Sequence, residues 1–264
     1  MNTVELSEKY NVNRHRIANA AKSGHLKAEK NGRVWNINEQ IFLEWYETEY
    51  KRSPYNSRIK WNREVFDNID NPEKAYWIGF ILADGCLHEG TSTLSVDLSI
   101  RDKTHLEKFI TFIDGDVDQL LQTTIHSITH KKLVHVQLCG KHTYNSLLQL
   151  GLFPQKSGHE KYIYTNYDKD FIRGIVDGDG YIRQDLTEIG IVGSYELLAT
   201  IQERFFHYLK VKPNKIMVHG TIFRISYRSK QAVYSIIEWL YKNAEVSLER
   251  KQTLANYILN EKIC

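Results

Sequence analysis

A nine-residue segment occurs twice in this chain, first as Trp77–Gly85 and again as Ile172–Gly180. The small residues and the final Asp-Gly fall in the same places in both copies, and Asp179 follows Asp84 by 95 positions (179 − 84). A repeat at a constant offset predicts a duplicated structural module. It also predicts that one acidic residue occupies a matched position in each copy.

Each copy is predicted to be a helix with one closely packing face. Gly79 and Ala83 are four residues apart, as are Gly174 and Gly178, so each pair lies on a single face of its helix. Small side chains allow two backbones to approach closely, and we expect the two helices to pack against each other. Their C-terminal ends would then bring the two acids together.

The ends of both helices carry capping signals. Asn71-Pro72 is typical of an N-cap followed by proline at the first helical position, and Asn166 or Asp168 is the expected N-cap of the second copy. Gly85 and Gly180 are expected to end the helices in the left-handed conformation.

Paired acids at helix C-termini predict a cation. The helix dipole and the mutual repulsion of Asp84 and Asp179 both oppose ionisation, and a bound cation relieves both effects. Magnesium suits few carboxylates with open positions for water and phosphate. Metal between two carboxylates is also a common arrangement for phosphodiester hydrolysis. An isolated Ala-Asp-Gly is usually only a helix stop, so the prediction depends on the duplication.

The two motifs resemble the signature of single-chain LAGLIDADG homing endonucleases, over about residues 74–264. The resemblance implies that Asp84 and Asp179 bind catalytic Mg²⁺, with Mn²⁺ as a substitute, helped by the backbone carbonyls of Ala83 and Gly178. It also implies that the motif helices form the interface between pseudo-symmetric halves. The chain departs from the signature at Leu82, where the second copy keeps an aspartate.

The remaining pattern predicts an α+β fold. Two modules, residues 74–165 and 166–264, each have the order helix, two strands, helix, two strands, helix (αββαββα). This order predicts two curved antiparallel sheets, each with helices on one face and an open face on the other. Together the open faces would form a DNA-binding saddle.

Alternation along two of the predicted strands assigns residues to the open faces. The strand-like segments Leu133–Cys139 and Thr221–Arg228 alternate apolar residues with polar ones. Side chains of this kind on a two-stranded ribbon read base edges in a major groove. The predicted base-contacting residues are His135, Gln137, Arg224, Ser226 and Arg228.

Two lysines also occupy matched positions. Lys156 and Lys251 each lie 72 residues after the acid of their module (156 − 84 and 251 − 179). A lysine beside the metals can polarise water or stabilise charge on the phosphate, so both are predicted to be catalytic. An ordinary solvated lysine is the alternative. Both positions resemble peripheral basic residues of the LAGLIDADG enzymes.

The first 50 residues predict a different module. Two short helices, a hairpin at Asn31-Gly32 and a third helix resemble the winged helix-turn-helix of excisionase and MerR-type proteins. Residues 1–35 hold seven Lys/Arg against three Asp/Glu, whereas the whole chain has a net charge of +3. This local excess favours DNA binding, although a helix-turn-helix can also contact protein. The predicted DNA-binding residues are Arg14, His15, Asn19, Lys22 and Arg33.

A basic, polar stretch separates this module from the repeats. Residues 51–73 are predicted to be a linker that raises the effective concentration of the second binding unit at its site. The 264 residues contain no apolar run long enough to cross a membrane, and Met1 is followed by polar residues rather than a secretory signal. Three cysteines without a CxxC suit a reducing cytoplasm, in a bacterial or phage-infected host cell.

The sequence therefore predicts a monomeric, magnesium-dependent endonuclease. It would make a double-strand break in a long asymmetric site in double-stranded DNA, and the resemblance suggests a phage or mobile-element origin. Two alternatives stay open, since similar scaffolds serve as transcription regulators and as RNA maturases that assist intron splicing.

Overall fold

A computed structural model of the protein describes residues 1–32, 34–50, 59–125, 130–185 and 187–261. The chain forms two compact units, Met1–Ile59 and Lys60–Cys264. None of the helices within these described ranges combines the length and apolar character that crossing a lipid bilayer requires.

The first unit contains three helices and a hairpin. Asn2, Asn13 and Asn38 each accept a backbone hydrogen bond at the start of a helix, which explains where the helices begin. The elements in order are α1 (Thr3–Tyr10), α2 (Arg14–Ser23), β1 (Glu29–Asn31), β2 (Val34–Asn36) and α3 (Glu39–Trp45), which continues into a π-helical turn (Tyr46–Tyr50).

A small apolar core holds these elements together. It consists of Leu6, Val12, Ile17, Leu26, Ile37, Phe42 and Trp45. The hairpin is present, and its last register pair joins Asn31 to Val34, so Asn31 belongs to the first strand instead of to the turn. Gly32 adopts a φ of +62°, a conformation that glycine reaches at little cost.

The second unit repeats one plan twice. The first module contains α4 (Pro72–Asp84), β3 (Gly85–His88), β4 (Thr93–Ser99), α5 (Lys103–Phe112), α6 (Val117–Leu120), β5 (Gln122–Ile125), β6 (Lys132–Cys139) and α7 (Lys141–Gln149). The second module contains α8 (Asp168–Asp179), β7 (Gly180–Ile182), β8 (Ile189–Gly193), α9 (Tyr195–Leu209), β9 (Met217–His219), β10 (Ile222–Tyr227), α10 (Lys230–Tyr241) and α11 (Glu249–Glu261).

The two sheets have the same topology, and the fold class is α+β as the sequence predicts. The strand orders are β3-β4-β6-β5 and β7-β8-β10-β9, and every pairing is antiparallel. Residues of one face are buried, including Val96, Val136, Ile191 and Ile225. The other face carries mostly polar side chains, as expected for antiparallel sheets covered on one side.

The helix ends differ from the capping prediction at three places. Asn71 caps α4, as expected, but α8 begins at Asp168 without a side-chain cap from either Asn166 or Asp168. The Asp168 carboxylate instead accepts hydrogen bonds from Tyr162 and Tyr208. Gly85 and Gly180 are extended, with φ of −77° and −94°, and each begins a strand directly after its helix.

Part of the predicted linker belongs to the second unit. Val65 and Phe66 are buried, and Phe66 stacks on Phe109 of α5. Residues 60–73 therefore belong to the second compact unit, directly before α4. The first part of the prediction, residues 51–58, lies outside the described residues.

Candidate active site

The glycines of the repeat bring α4 and α8 into backbone contact. A Cβ placed on Gly79 would lie 2.1 Å from the carbonyl oxygen of Phe171, and one on Gly174 would lie 2.1 Å from that of Tyr76. A Cβ on Gly178 would lie 2.4 Å from the Cβ of Ala83. No side chain fits at these positions, so the predicted close packing of the two helices is present.

This packing gathers the two acids at one end of the helix pair. The Oδ2 atom of Asp84 lies 3.3 Å from the point where a Gly178 side chain would begin. Burial and then the neighbouring Asp84 raise the pKa of Asp179 to about 6. Burial also raises the pKa of Asp84, against the attraction of Lys251 and Lys156. The two carboxylates thus share a site whose surroundings do not fully neutralise their charge.

The two matched lysines bind carbonyls at the ends of the same helices. The Nζ of Lys156 donates to the carbonyl oxygen of Ala83 at 2.8 Å. The Nζ of Lys251 is 2.5 Å from the carbonyl oxygen of Val176, 2.7 Å from that of Asp177 and 2.6 Å from that of Gly180. An ammonium group at a helix C-terminus offsets the negative end of the dipole.

Burial affects the two lysines to different degrees. It lowers the pKa of Lys156, and it lowers the pKa of Lys251 to about 8. The three ammonium hydrogens of Lys251 match its three carbonyl acceptors, whereas Lys156 donates to one carbonyl and has no second acceptor within the described residues. Lys156 is therefore the lysine with donors available to a bound phosphate.

The donor set fits a cation that takes few protein ligands. Over the described ranges, no three His, Cys, Asp or Glu side chains group closely enough to hold a metal ion. Magnesium commonly binds through one or two carboxylates and completes its octahedron with water and phosphate oxygens. Asp84 and Asp179 would hold it, and the carbonyl oxygens of Ala83 and Gly178 adjoin them in the chain.

Asp177, whose counterpart in the first copy is Leu82, is fully buried next to this site. Its carboxylate accepts hydrogen bonds from Tyr76 at 2.8 Å, Tyr241 at 2.7 Å and the backbone N–H of Leu248 at 2.7 Å. Tyr76 comes from the first module and the other two donors from the second. The network ties the halves together and fixes the start of α11, which carries Lys251. The motif alone gave no sign of these partners.

The structure places the predicted base-reading residues on the open faces of the two sheets. In the first sheet His135 lies opposite Asp97 and Gln137 opposite Ser95. The Nδ1 atom of His135 is 2.8 Å from the Asp97 carboxylate. This hydrogen bond uses one ring nitrogen, and Nε2 has no partner among the described residues.

In the second sheet the matched positions are Arg224 and Ser226. Arg224 lies opposite Val192, and Ser226 lies opposite Gly190. Arg228 follows on the same face and donates from Nε to the Glu188 carboxylate at 3.1 Å. The alternating pattern assigned the three predicted residues to this face correctly but did not identify Glu188 as a partner.

The first unit presents its candidate residues on α2. Arg14, His15, Asn19 and Lys22 are all exposed, while Ile17 and Ala21 of the same helix are buried. The helix thus has an apolar inner side and a polar outer side. Arg33, the fifth predicted DNA-binding residue of this unit, lies outside the described residues.

No family model matches the sequence, and no curated protein matches it either. Several solved structures are similar. Full-length DUF199/WhiA from Thermatoga maritima is 12% identical with a TM-score of 0.48, over 76% of this chain and 66% of that one. The LAGLIDADG meganuclease I-AabMI bound to uncleaved DNA is 10% identical with a TM-score of 0.49, over 73% and 91%. A variant of I-DmoI with its target DNA and magnesium is 15% identical with a TM-score of 0.45, over 69% and 99%.

Proposed function

We propose that the protein is a site-specific homing endonuclease that cuts both strands of DNA by magnesium-dependent phosphodiester hydrolysis. The observation that carries this proposal is the arrangement of acids and lysines at the C-terminal end of the α4–α8 pair. Two half-buried carboxylates from matched positions lie close together there, with one lysine from each module beside them. A protein that only binds DNA gains nothing from two adjacent acids with raised pKa values, which destabilise the fold when ionised.

The two acids and the two lysines would have different roles in catalysis. A divalent ion held by Asp84 and Asp179 would activate water and stabilise the leaving oxygen. Lys156 keeps two N–H donors that can bind a non-bridging phosphate oxygen as charge develops. Lys251 holds the C-terminal carbonyls of α8 and so fixes the position of Asp179.

The open sheet faces and the first unit would supply the target site. Strands β6 and β10 present polar side chains of different chemistry, so the two halves of the site are not expected to be identical. The first unit would bind further DNA through the exposed side of α2, as a winged helix-turn-helix does. One chain then reads a long asymmetric site as a monomer.

The test begins with a selection of cut sites from a randomised double-stranded DNA library. We expect Mg²⁺ or Mn²⁺ to give cleavage of a defined long sequence, and Ca²⁺ to give binding with little cutting. Asp84→Asn and Asp179→Asn should each abolish double-strand cleavage while binding persists. Asp118→Asn, which changes an exposed acid of α6, is the matched control and should cut normally.

Each of the other outcomes would indicate a different function or a different catalytic site. Specific binding without cutting in any metal would indicate a transcription regulator. Stimulation of intron splicing by binding RNA, without DNA cleavage, would indicate a maturase. Cleavage that survives both aspartate substitutions would show that the chemistry lies elsewhere in the chain.

A further inference from the structure

The open face of the second sheet contains a glutamate that solvent hardly reaches. Glu188 alternates with Gly190 and Val192, so it points to the same face as Arg224. Its side chain is nevertheless only 4% exposed. A carboxylate on a surface that binds the phosphate backbone would repel the phosphates and weaken binding, unless neighbouring cationic side chains neutralise its charge.

Three side chains cover this carboxylate. Tyr181 donates its hydroxyl to Oε1 at 2.6 Å, Arg228 donates from Nε to Oε2 at 3.1 Å, and Nη1 of Arg183 lies 3.6 Å from Oε2. Burial alone would raise the pKa of Glu188, but the hydrogen bonds from Tyr181, Arg228 and Ser226 outweigh it and lower the pKa. The glutamate is therefore an ionised anchor with partners on two neighbouring strands.

Gly190 makes room for this arrangement. A Cβ on Gly190 would lie 2.5 Å from the ring of Tyr181, so the phenol lies flat across the glycine. Any side chain at this position would displace the ring and expose Glu188. Glu188 thus binds Arg228, the Tyr181 ring shields the Glu188 carboxylate, and Gly190 leaves the space that this ring occupies.

Arg228 is left with a free end. Its side chain is 71% exposed, and its contact with Glu188 uses Nε. Among the described residues, none accepts a hydrogen bond from its two terminal nitrogens. Two such nitrogens in a fixed plane match the O6 and N7 acceptors of guanine in the major groove. Holding the guanidinium in place beforehand reduces the entropy lost on binding.

We propose that Glu188 is a positioning residue that fixes Arg228 for bidentate recognition of one guanine in the target site. This inference rests on the proposed function, since it concerns how the endonuclease reads its DNA. Beyond the predicted open face, it names guanine as the base that is read, Glu188 as the residue that holds Arg228, and Tyr181 as the residue that shields Glu188.

The first module has no equivalent of the Glu188–Arg228 pair. Gly85 pairs with Val96 as Gly180 pairs with Ile191, so the register places Thr93 and Cys139 where the second module has Glu188 and Arg228. Thr93 donates to the sulfur of Cys139 at 3.4 Å, and this pair offers no fork of N–H donors. The guanine should therefore be required at one position only, without a symmetry mate in the other half of the site.

The experiment selects bound sequences from a randomised library in Ca²⁺, with the unaltered chain and three variants. Arg228→Lys keeps the charge but removes the fork, and Glu188→Gln removes the anchor's charge. Glu238→Gln breaks an exposed ion pair between Glu238 of α10 and Lys242, the residue that follows this helix, and is the matched control.

We expect the wild type and the control to require guanine at one position, by roughly ten-fold or more over other bases. Both sheet variants should lose that preference while preferences at the remaining positions stay unchanged, which a general loss of folding would not produce. If the protein selects a sequence and no guanine position responds to either variant, this inference is overturned. If no sequence is selected at all, the proposed function fails instead.

Discussion

Replacing Gly79 by alanine should push the two motif helices apart. The added Cβ would lie 2.1 Å from the carbonyl oxygen of Phe171 and 3.3 Å from the backbone nitrogen of Ile175. Real Cβ atoms essentially never approach another heavy atom within 3.0 Å, so α4 must move away from α8 by about 0.9 Å (3.0 − 2.1). Neither backbone atom can turn aside as a flexible side chain would.

The size of the effect follows from that movement. Overpacking a core costs typically 1–3 kcal/mol, and contact of a side chain with backbone places Gly79→Ala near the upper end, at about 3 kcal/mol. For a unit of this size that corresponds to a fall in melting temperature of roughly 6–12 °C. Because Asp84 moves with α4, DNA cleavage should also fall by about 100-fold, which is the loss that a 1 Å misplacement can cause.

Calorimetry of the full chain and a cleavage assay test both expectations. Gly90→Ala is the matched control, because a Cβ there meets nothing within 4 Å and the residue does not need a left-handed φ. That variant should stay within about 0.5 kcal/mol of the wild type. If Gly79→Ala melts and cuts like Gly90→Ala, the helices are not in backbone contact and the proposed site is wrong.

Three further predictions concern other parts of the molecule. Asp179 has a pKa of about 6 in the folded protein against an ordinary 3.8, so the free energy of unfolding without metal should fall as pH rises between these values. Urea titrations in EDTA should show that Asp179→Asn reduces this slope, to which Asp84 and Asp177 also contribute through their raised pKa values, and an unchanged slope would contradict the raised pKa of Asp179. Asp177→Ala leaves Tyr241 and the N–H of Leu248 without an acceptor and should cost about 3 kcal/mol or more, which urea unfolding measures; unaltered stability would show that the network is dispensable. Lys22→Ala should reduce the dependence of log K on log salt by about 0.9 in DNA-binding titrations, and an identical slope would mean that this lysine contacts no phosphate.

The repeat made the centre of the fold predictable. The four-residue spacing of Gly79 and Ala83 is a local signal, and a second copy at a fixed offset identified the partner helix without knowledge of any long-range contact. Alternation along β6 and β10 likewise identified the exposed sides of two strands. In each case the decisive information lies within a few residues of sequence.

The predictions failed where the reason for a residue is spatial. Gly85 and Gly180 were expected to adopt a left-handed conformation, yet both are extended. A Cβ on Gly85 would lie 2.7 Å from the Ile81 carbonyl oxygen, and one on Gly180 would lie 2.5 Å from that of Val176. Glycine is needed there for space, because each chain turns from helix to strand without a loop.

The sequence did not predict the hydrogen-bond partners of the buried polar residues either. Tyr76 and Asp177 are 101 residues apart in the chain, and Arg228 and Glu188 are 40 apart. No periodicity connects such pairs, since each depends on how sheets and helices are finally packed. The sequence therefore predicted which side chains face the site but not which neighbours hold them.

The Tyr76–Asp177 bond makes the two halves of the second unit non-interchangeable. At the repeat offset of 95 positions (171 − 76), Tyr76 corresponds to Phe171, and Asp177 corresponds to Leu82. A symmetric pair of second modules would set each aspartate against a phenylalanine that has no hydroxyl to donate. A symmetric pair of first modules would leave each tyrosine facing leucine. A symmetric pair of either module would therefore lose this hydrogen bond between the two motif helices.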